Sequence, residues 1–212
     1  MRKLVLGVLA ALSAVPAFGA GGKAGDFDYY VLSLSWSPSW CAATGDARGD
    51  AQCDAGRGYS FTLHGLWPQY ESGWPGDCRT SARDPSRGDT AAMADVMGSG
   101  GLAWHEWKKH GRCSGLSARD YFSAARQAYG SIRIPDYFSK VRKDLKISAT
   151  VVEDAFIESN PGLQRNMLTV TCEQGRIAEV RLCLTRDLHP RACGEDTAPE
   201  CRISDALLPA VR

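Results

Sequence analysis

Three of the four histidines fall in two short segments. His64 stands in Phe61-Thr62-Leu63-His64-Gly65-Leu66-Trp67-Pro68, and the other two in His105-Glu106-Trp107-Lys108-Lys109-His110-Gly111-Arg112-Cys113. Histidine ordinarily titrates near neutrality, so its clustering beside Glu, Lys and Trp points to proton transfer. Wound at about 100° per residue, residues 104–110 place His105, Lys109, Glu106 and His110 within one arc of about 140°. Trp104, Trp107 and Lys108 take the other side. His105 with Lys109, and Glu106 with His110, are neighbours one turn apart. Such a face can hold an anion between cations, with Glu106 orienting His110 or biasing its protonation. The five-residue step between His105 and His110 differs from the i,i+4 pair of a helical zinc protease, so no metal and no cofactor is expected.

His64 follows a β-rich run and precedes Gly65, and so is read as projecting from a strand end. Gly65 gives room for a ligand or for unusual backbone angles. Trp67 offers a flat face to a nucleobase or a sugar. A strand histidine facing a helix histidine is a workable general acid and base pair. The plain alternative makes the histidines structural and the tryptophans core. It leaves unexplained why Glu106 and Lys109 share the phase of two histidines. His189, before Pro190, is read as a surface loop residue without a role.

The elements that must position these groups are legible from periodicity. Phe27–Trp36 alternates as a strand, and residues 59–64 read as a second. Residues 89–97 and 102–110 read as helices separated by Gly98, Gly100 and Gly101, with Gly111 stopping the second. Further helices are expected over 118–129 and 135–145, and another opened by a Thr150/Glu153 capping box and ended near Asn160-Pro161. Residues 167–173 and 176–185 form a hairpin around Gln174-Gly175. In its second strand Ala178, Val180, Leu182 and Leu184 face one way, and Glu179, Arg181 and Cys183 the other. Glu71–Thr90, rich in Gly, Pro, Ser, Asp and Arg, is a long surface loop. Strands at both ends with helices between argue for an α+β class, a central antiparallel sheet with helices packed against it.

Residues 1–20 read as a secretory signal: Arg2 and Lys3, an apolar run from Leu4 to Leu12, then small residues around Gly19. The run is too short to anchor the chain in a membrane. Residues 21–212 then form a single domain, placed in the periplasm or outside the cell. Eight cysteines lie in that part, at 41, 53, 78, 113, 172, 183, 193 and 201. An even, dispersed set without a CxxC pair argues for four disulfides over a zinc ribbon. Without the leader the net charge is −1, yet residues 105–146 hold ten Lys/Arg and four Asp/Glu. That local excess could attract an anion, or simply coat solvated helix faces.

The two histidine segments resemble the active-site motifs of the ribonuclease T2 family, secreted and often acid-active endoribonucleases. Residues 61–68 match the first motif and Leu102–Cys113 the second. Asp26–Trp36 is similar to the family's opening strand, and the signal and compact loops are most similar to its bacterial, periplasmic branch. The resemblance implies cleavage of single-stranded RNA, sparing DNA, by a monomer. A ribose 2′-hydroxyl would attack phosphorus to give a 2′,3′-cyclic phosphate, then a 3′-phosphate. It implies His110 as base, His64 as acid, His105 as phosphate ligand, and Glu106 and Lys109 as stabilisers of charge on the phosphorane. Trp67, Gln69 and Tyr70 would bind substrate. Gln69 stands where some relatives carry Asp, so base preference does not carry over. The resemblance also implies the pairings Cys41–Cys53, Cys78–Cys113, Cys172–Cys201 and Cys183–Cys193. An idle RNA-binding relative would not need every catalytic position filled. A glycan-binding module leaves His105, Glu106, Lys109 and His110 unexplained, and a serine hydrolase lacks its G-x-S-x-G elbow.

Overall fold

A computed structural model describes residues 22–197 and 200–212. The proposed signal lies outside the described residues. Among those described, no helix is long and apolar enough to cross a membrane.

The opening run Tyr-Tyr-Val-Leu-Ser-Leu-Ser-Trp is strand β1, Tyr29–Trp36. Its alternation divides two faces. Tyr30, Leu32, Leu34 and Trp36 enter the main core, whereas Tyr29 and Val31 join Cys183 in a small cluster on the other side. β1 is flanked by β2 (Phe61–Gln69) and β5 (Arg176–Leu184), both antiparallel to it. β4 (Leu168–Glu173) forms a hairpin with β5. Gln174 and Gly175 turn it, both at positive φ (48° and 78°), the backbone that a two-residue hairpin loop requires. β3 (Leu145–Ile147) pairs antiparallel with β6 (Ala206–Leu208). The expected α+β class and central sheet are present, with one departure: β6 meets β5 in parallel, at Arg176 and Leu207. The core helices are α1 (Gly100–Lys109), α2 (Ala118–Ser131) and α3 (Ala149–Ser159).

Several local expectations are corrected. β2 does not end at His64; it runs to Gln69, because its pairing with β1 continues to Tyr29. Residues 89–97 split into Arg87–Ala91, capped by Ser86 and Asp89, and Ala94–Met97. Gly100 and Gly101 lie inside α1, which Ser99 caps by accepting from the Leu102 amide. Residues 135–145 form one 3-10 turn, Asp136–Lys140, followed by β3. The turn buries only Phe138, among Trp36, Phe61 and Phe156, so one aromatic anchor outweighs a helical stripe. Thr150 does not cap α3. Ser148 holds that position, and Glu153 is buried against Arg165 at 2.6 Å. Ala178 leaves the core face because the β4–β5 register slips beside it, and Ile177 takes its place. α1 ends at Lys109, just before Gly111 as expected, and the left-handed residue comes later, at Gly115. Gly111 is needed for close packing, since a Cβ there would lie 2.7 Å from Trp107 and 2.8 Å from Tyr121.

The cysteines pair as Cys41–Cys53, Cys78–Cys113, Cys172–Cys201 and Cys183–Cys193, as the resemblance implied. The second ties the loop after β2 to the turn after α1. The Asp77 amide adds a bond to the Lys109 carbonyl at 2.9 Å. Asp84, in the same loop, accepts from Trp107 Nε1, Lys108 Nζ and Arg112 Nη2 at 2.9, 3.1 and 2.7 Å.

Candidate active site

The β1–β2 register shifts between Ser33 and Leu34: Ser33 faces Gly65 and Leu34 faces Leu63, leaving His64 as the extra residue of a bulge. A bulge re-aims the side chain it carries. His64 therefore leaves β2 on the face away from the main core, while Leu63 and Leu66 stay fully buried. Trp67 follows on the same face as Val31, its register partner.

α1 delivers the second segment in the phase expected. Trp107 is fully buried, and Trp104 is exposed with Lys108 Nζ 5.4 Å from its ring. His105, Glu106, Lys109 and His110 all line a cavity of about 370 Å³, together with His64, Trp67, Gln69 and Trp74. Of the ten basic residues in 105–146, Lys109 is the one lining this cavity. Lys108, Arg112 and Arg126 pair with Asp84 or Asp95 instead.

Trp67 is the centre of the arrangement. His110 stacks on it at 5.2 Å with 28° between the planes. His64 meets it edge-on at 5.2 Å, and the Arg181 guanidinium lies 4.9 Å from its centroid. Its Nε1 donates to Glu106 Oε2 at 2.6 Å. The ring expected to receive a base is thus taken up by protein groups and holds the two histidines in relation to each other. Gly65 has negative φ, and the room it leaves is filled by protein. A Cβ there would lie 2.1 Å from Glu106 Oε2 and 2.4 Å from Trp67 Nε1. Glu106 does not reach the His110 ring. It faces His64 Nε2 at 3.6 Å, and the buried Nδ1 of His110 has no partner among the described residues.

Gln69 lines the cavity floor, buried, its amide donating to the Gly73 carbonyl at 3.0 Å. Tyr70 packs against the main core and is not part of the lining. Trp74 is, and it is 61 % exposed, the free aromatic surface of the site. The sequence reading passed over Glu179 and Arg181. Arg181 lines this cavity, and both line a neighbouring hollow of about 420 Å³ that also includes His64. The signal available was an i,i+2 charged pair facing away from Val180 and Leu182 in an otherwise apolar strand.

The environments push the two histidines apart. For His110, burial and then the positive charges of Lys109, His64, His105 and Arg181 lower the imidazole to about 3. For His64 burial pulls downward, but the bond and charge of Glu179 and the charge of Glu106 outweigh it, leaving the ring above its ordinary range. Glu106 is raised, chiefly by burial. Glu179 is held at about 2: His64 and Arg181 overcome the cost of its burial. Opposed pairs of this kind mark acid and base assignments.

A relative in Aeromonas hydrophila, described as a ribonuclease, is 45 % identical over 127 residues. That match covers 59 % of this chain and 56 % of the relative, so the chain spans about half the relative's length. Among solved structures, an RNase-related protein from Calystegia sepium superposes with a TM-score of 0.65 at 21 % identity, covering 88 % of this chain and 98 % of that one. RNase NT, solved in complex with 5′-AMP, gives 0.59 at 22 % identity over 86 % and 97 %. At those identities the likeness speaks for the fold. The model of the Ribonuclease T2 family matches residues 27–193, and the chain belongs to that family, in its bacterial branch.

Proposed function

We propose that the chain is an endoribonuclease that cleaves single-stranded RNA by transesterification, without a metal. The observation that carries this reading is the pair His64 and His110, set on one tryptophan in one cavity and biased to opposite protonation states. A neutral His110 takes the proton of the ribose 2′-hydroxyl. The 2′-oxygen bonds to phosphorus as the bond to the 5′-oxygen breaks. A protonated His64 supplies the proton that this leaving oxygen needs. The products are a 2′,3′-cyclic phosphate and a free 5′-hydroxyl, and a later water attack opens the cycle to a 3′-phosphate.

His105 and Lys109, both exposed at the rim, offer positive charge to the phosphate. Glu106, pushed toward its neutral form by burial, can donate to a phosphoryl oxygen through Oε1 while Oε2 keeps the Trp67 bond. Charge building on equatorial oxygens is stabilised most by such fixed donors in a water-poor site. Trp74 and Gln69 are the candidates for base contact in the cavity. The need for a 2′-hydroxyl excludes DNA as substrate. Family members of this type work outside the cytoplasm, and four disulfides agree with export to the periplasm or beyond.

The test is a DNA oligonucleotide carrying one ribonucleotide, incubated with EDTA. Wild-type protein should cut once, 3′ of the ribose, leaving a cyclic phosphate. His64→Ala and His110→Ala should each fall by about 10²–10⁴-fold. Cutting at deoxynucleotides, or no cutting across pH 4 to 8, would overturn the reading.

A further inference from the structure

β5 sets a buried carboxylate beside a half-buried guanidinium, a charged pair that fold stability does not call for. Val180, Leu182 and Leu184 fill the core, while Glu179 is 9 % exposed on the opposite face. A buried ion pair is commonly no more stabilising than apolar residues of similar size, so its presence asks for another reason. The neighbouring strand supplies one. β1 offers Ser33 opposite Arg181 and Ser35 opposite Glu179, and these small side chains leave a trough between β2 and β5. His64, bulged from β2, reaches across it. Its Nδ1 lies 2.5 Å from Glu179 Oε1, and Ser35 Oγ donates to the same oxygen at 3.4 Å.

The other oxygen of Glu179 is clamped. Arg181 donates to Oε2 through Nε at 2.8 Å and Nη2 at 2.6 Å, and fixes its own Nη1 on the Thr197 carbonyl at 3.3 Å. The carboxylate cannot rotate without breaking this fork. The charged and titratable groups facing His64 are then Glu179 and Arg181 from β5, Glu106 from α1 at 3.6 Å, and His110 across Trp67.

We propose that Glu179, clamped by Arg181, is the positioning residue for His64, holding Nδ1–H so that Nε2–H is aimed at the leaving oxygen. This rests on the reading of His64 as general acid. The proton inventory closes. Protonated His64 gives the Nε2 proton to the 5′-oxygen as its bond to phosphorus breaks. The neutral ring keeps its other proton on Nδ1, in the bond to Glu179. Its Nε2 lone pair is then set to take a proton from the water that opens the cyclic phosphate. A carboxylate behind a catalytic histidine fixes tautomer and orientation in the same way in hydrolase triads.

The experiment compares two leaving groups. A diribonucleotide loses a 5′-alkoxide, which needs protonation, whereas ribonucleoside 3′-(4-nitrophenyl phosphates) of the four bases lose a phenolate, which does not. Glu179→Gln and Glu179→Ala should lose about 10²-fold in kcat on the diribonucleotide, with KM little changed, and less than about tenfold on the nitrophenyl esters. His64→Ala should show the same split. If His64→Ala splits the substrates and the Glu179 variants do not, the inference is overturned and the acid assignment stands. If His64→Ala does not split them, the underlying reading of His64 fails. Should the Glu179 variants not fold, the ¹⁵N resonances of the wild-type imidazoles decide. A neutral His64 carrying its proton on Nδ1 supports the inference, and one carrying it on Nε2 overturns it.

Discussion

His64 and His110 are the same chemical group in opposite surroundings. His110 sits among cations, with Lys109, His105 and Arg181 nearby, and burial adds to their effect. His64 sits between two carboxylates. The expected consequence is a broad plateau in kcat/KM against pH. Under the proposed mechanism the base must be neutral, so activity falls on the acid side as pH drops through the lowered value of His110, about 3. The acid must be protonated, so activity falls on the alkaline side through the raised value of His64, above 6.5. A pH profile of dinucleotide cleavage checks both limbs, and Glu179→Gln, which removes the larger upward influence on His64, should move the alkaline limb downward. A limb near pH 6 on the acid side would contradict the assignment. At this scale the sequence was informative because four groups on α1 share one helical phase, which local periodicity alone determines. Glu179 was illegible because its meaning depends on a strand about 115 residues from His64, placed beside it by the sheet. The protein contacts of Trp67 were hidden for the same reason: a tryptophan that stacks on protein and one that waits for a base look alike in a sequence.

At the scale of elements, the site depends on how firmly α1 meets β2. Part of that grip is Asp84, from the loop 71–90. It joins Trp107, Lys108 and Arg112, which lie on the helix side turned away from the cavity or just past its end. The bond from Arg112, then that from Trp107, lower Asp84 to about 2. A depressed carboxyl contributes stability above its unfolded value near 3.8, and that contribution is lost as pH falls through about 2. Because its side chain is 35 % exposed, solvent weakens the ion pairs, and Asp84→Ala should cost about 1–2 kcal/mol at neutral pH. Urea melts at pH 7 and pH 2 measure this, and the difference between wild type and variant should shrink at the lower pH. The loop itself was legible from its Gly and Pro content, but the anchoring role of Asp84 was not. Nothing local separates this aspartate from Asp77 or Asp89. The extended β2 was likewise hidden. Gly65 and Pro68 discourage a strand in sequence terms, and only pairing with β1 carries the strand through them.

Across the whole molecule, the second histidine segment lies inside the loop that the Cys78–Cys113 bridge closes, and the first lies just before it on β2. The bridge spans 35 residues, against 12 for Cys41–Cys53. On loop-closure entropy alone the first is worth about 4 kcal/mol and the second about 3. The stability losses should therefore be similar, and in a domain of this size each should lower Tm by about 8–15 °C. Their effects on catalysis should differ. Cys78 neighbours Asp77, whose amide holds the Lys109 carbonyl, and the same loop carries Trp74 and the Gly73 carbonyl that fixes Gln69. Freeing it loosens Lys109 and the candidate base contacts together, while leaving His64 on its strand. The double variant Cys78→Ser/Cys113→Ser should thus raise KM for a dinucleotide well below its own Tm and change kcat less. Cys41→Ser/Cys53→Ser should leave KM near the wild-type value. Equal KM in both double variants would show that the bridge stabilises the fold without setting the register of the site. A loss confined to kcat would place its influence on the histidines instead.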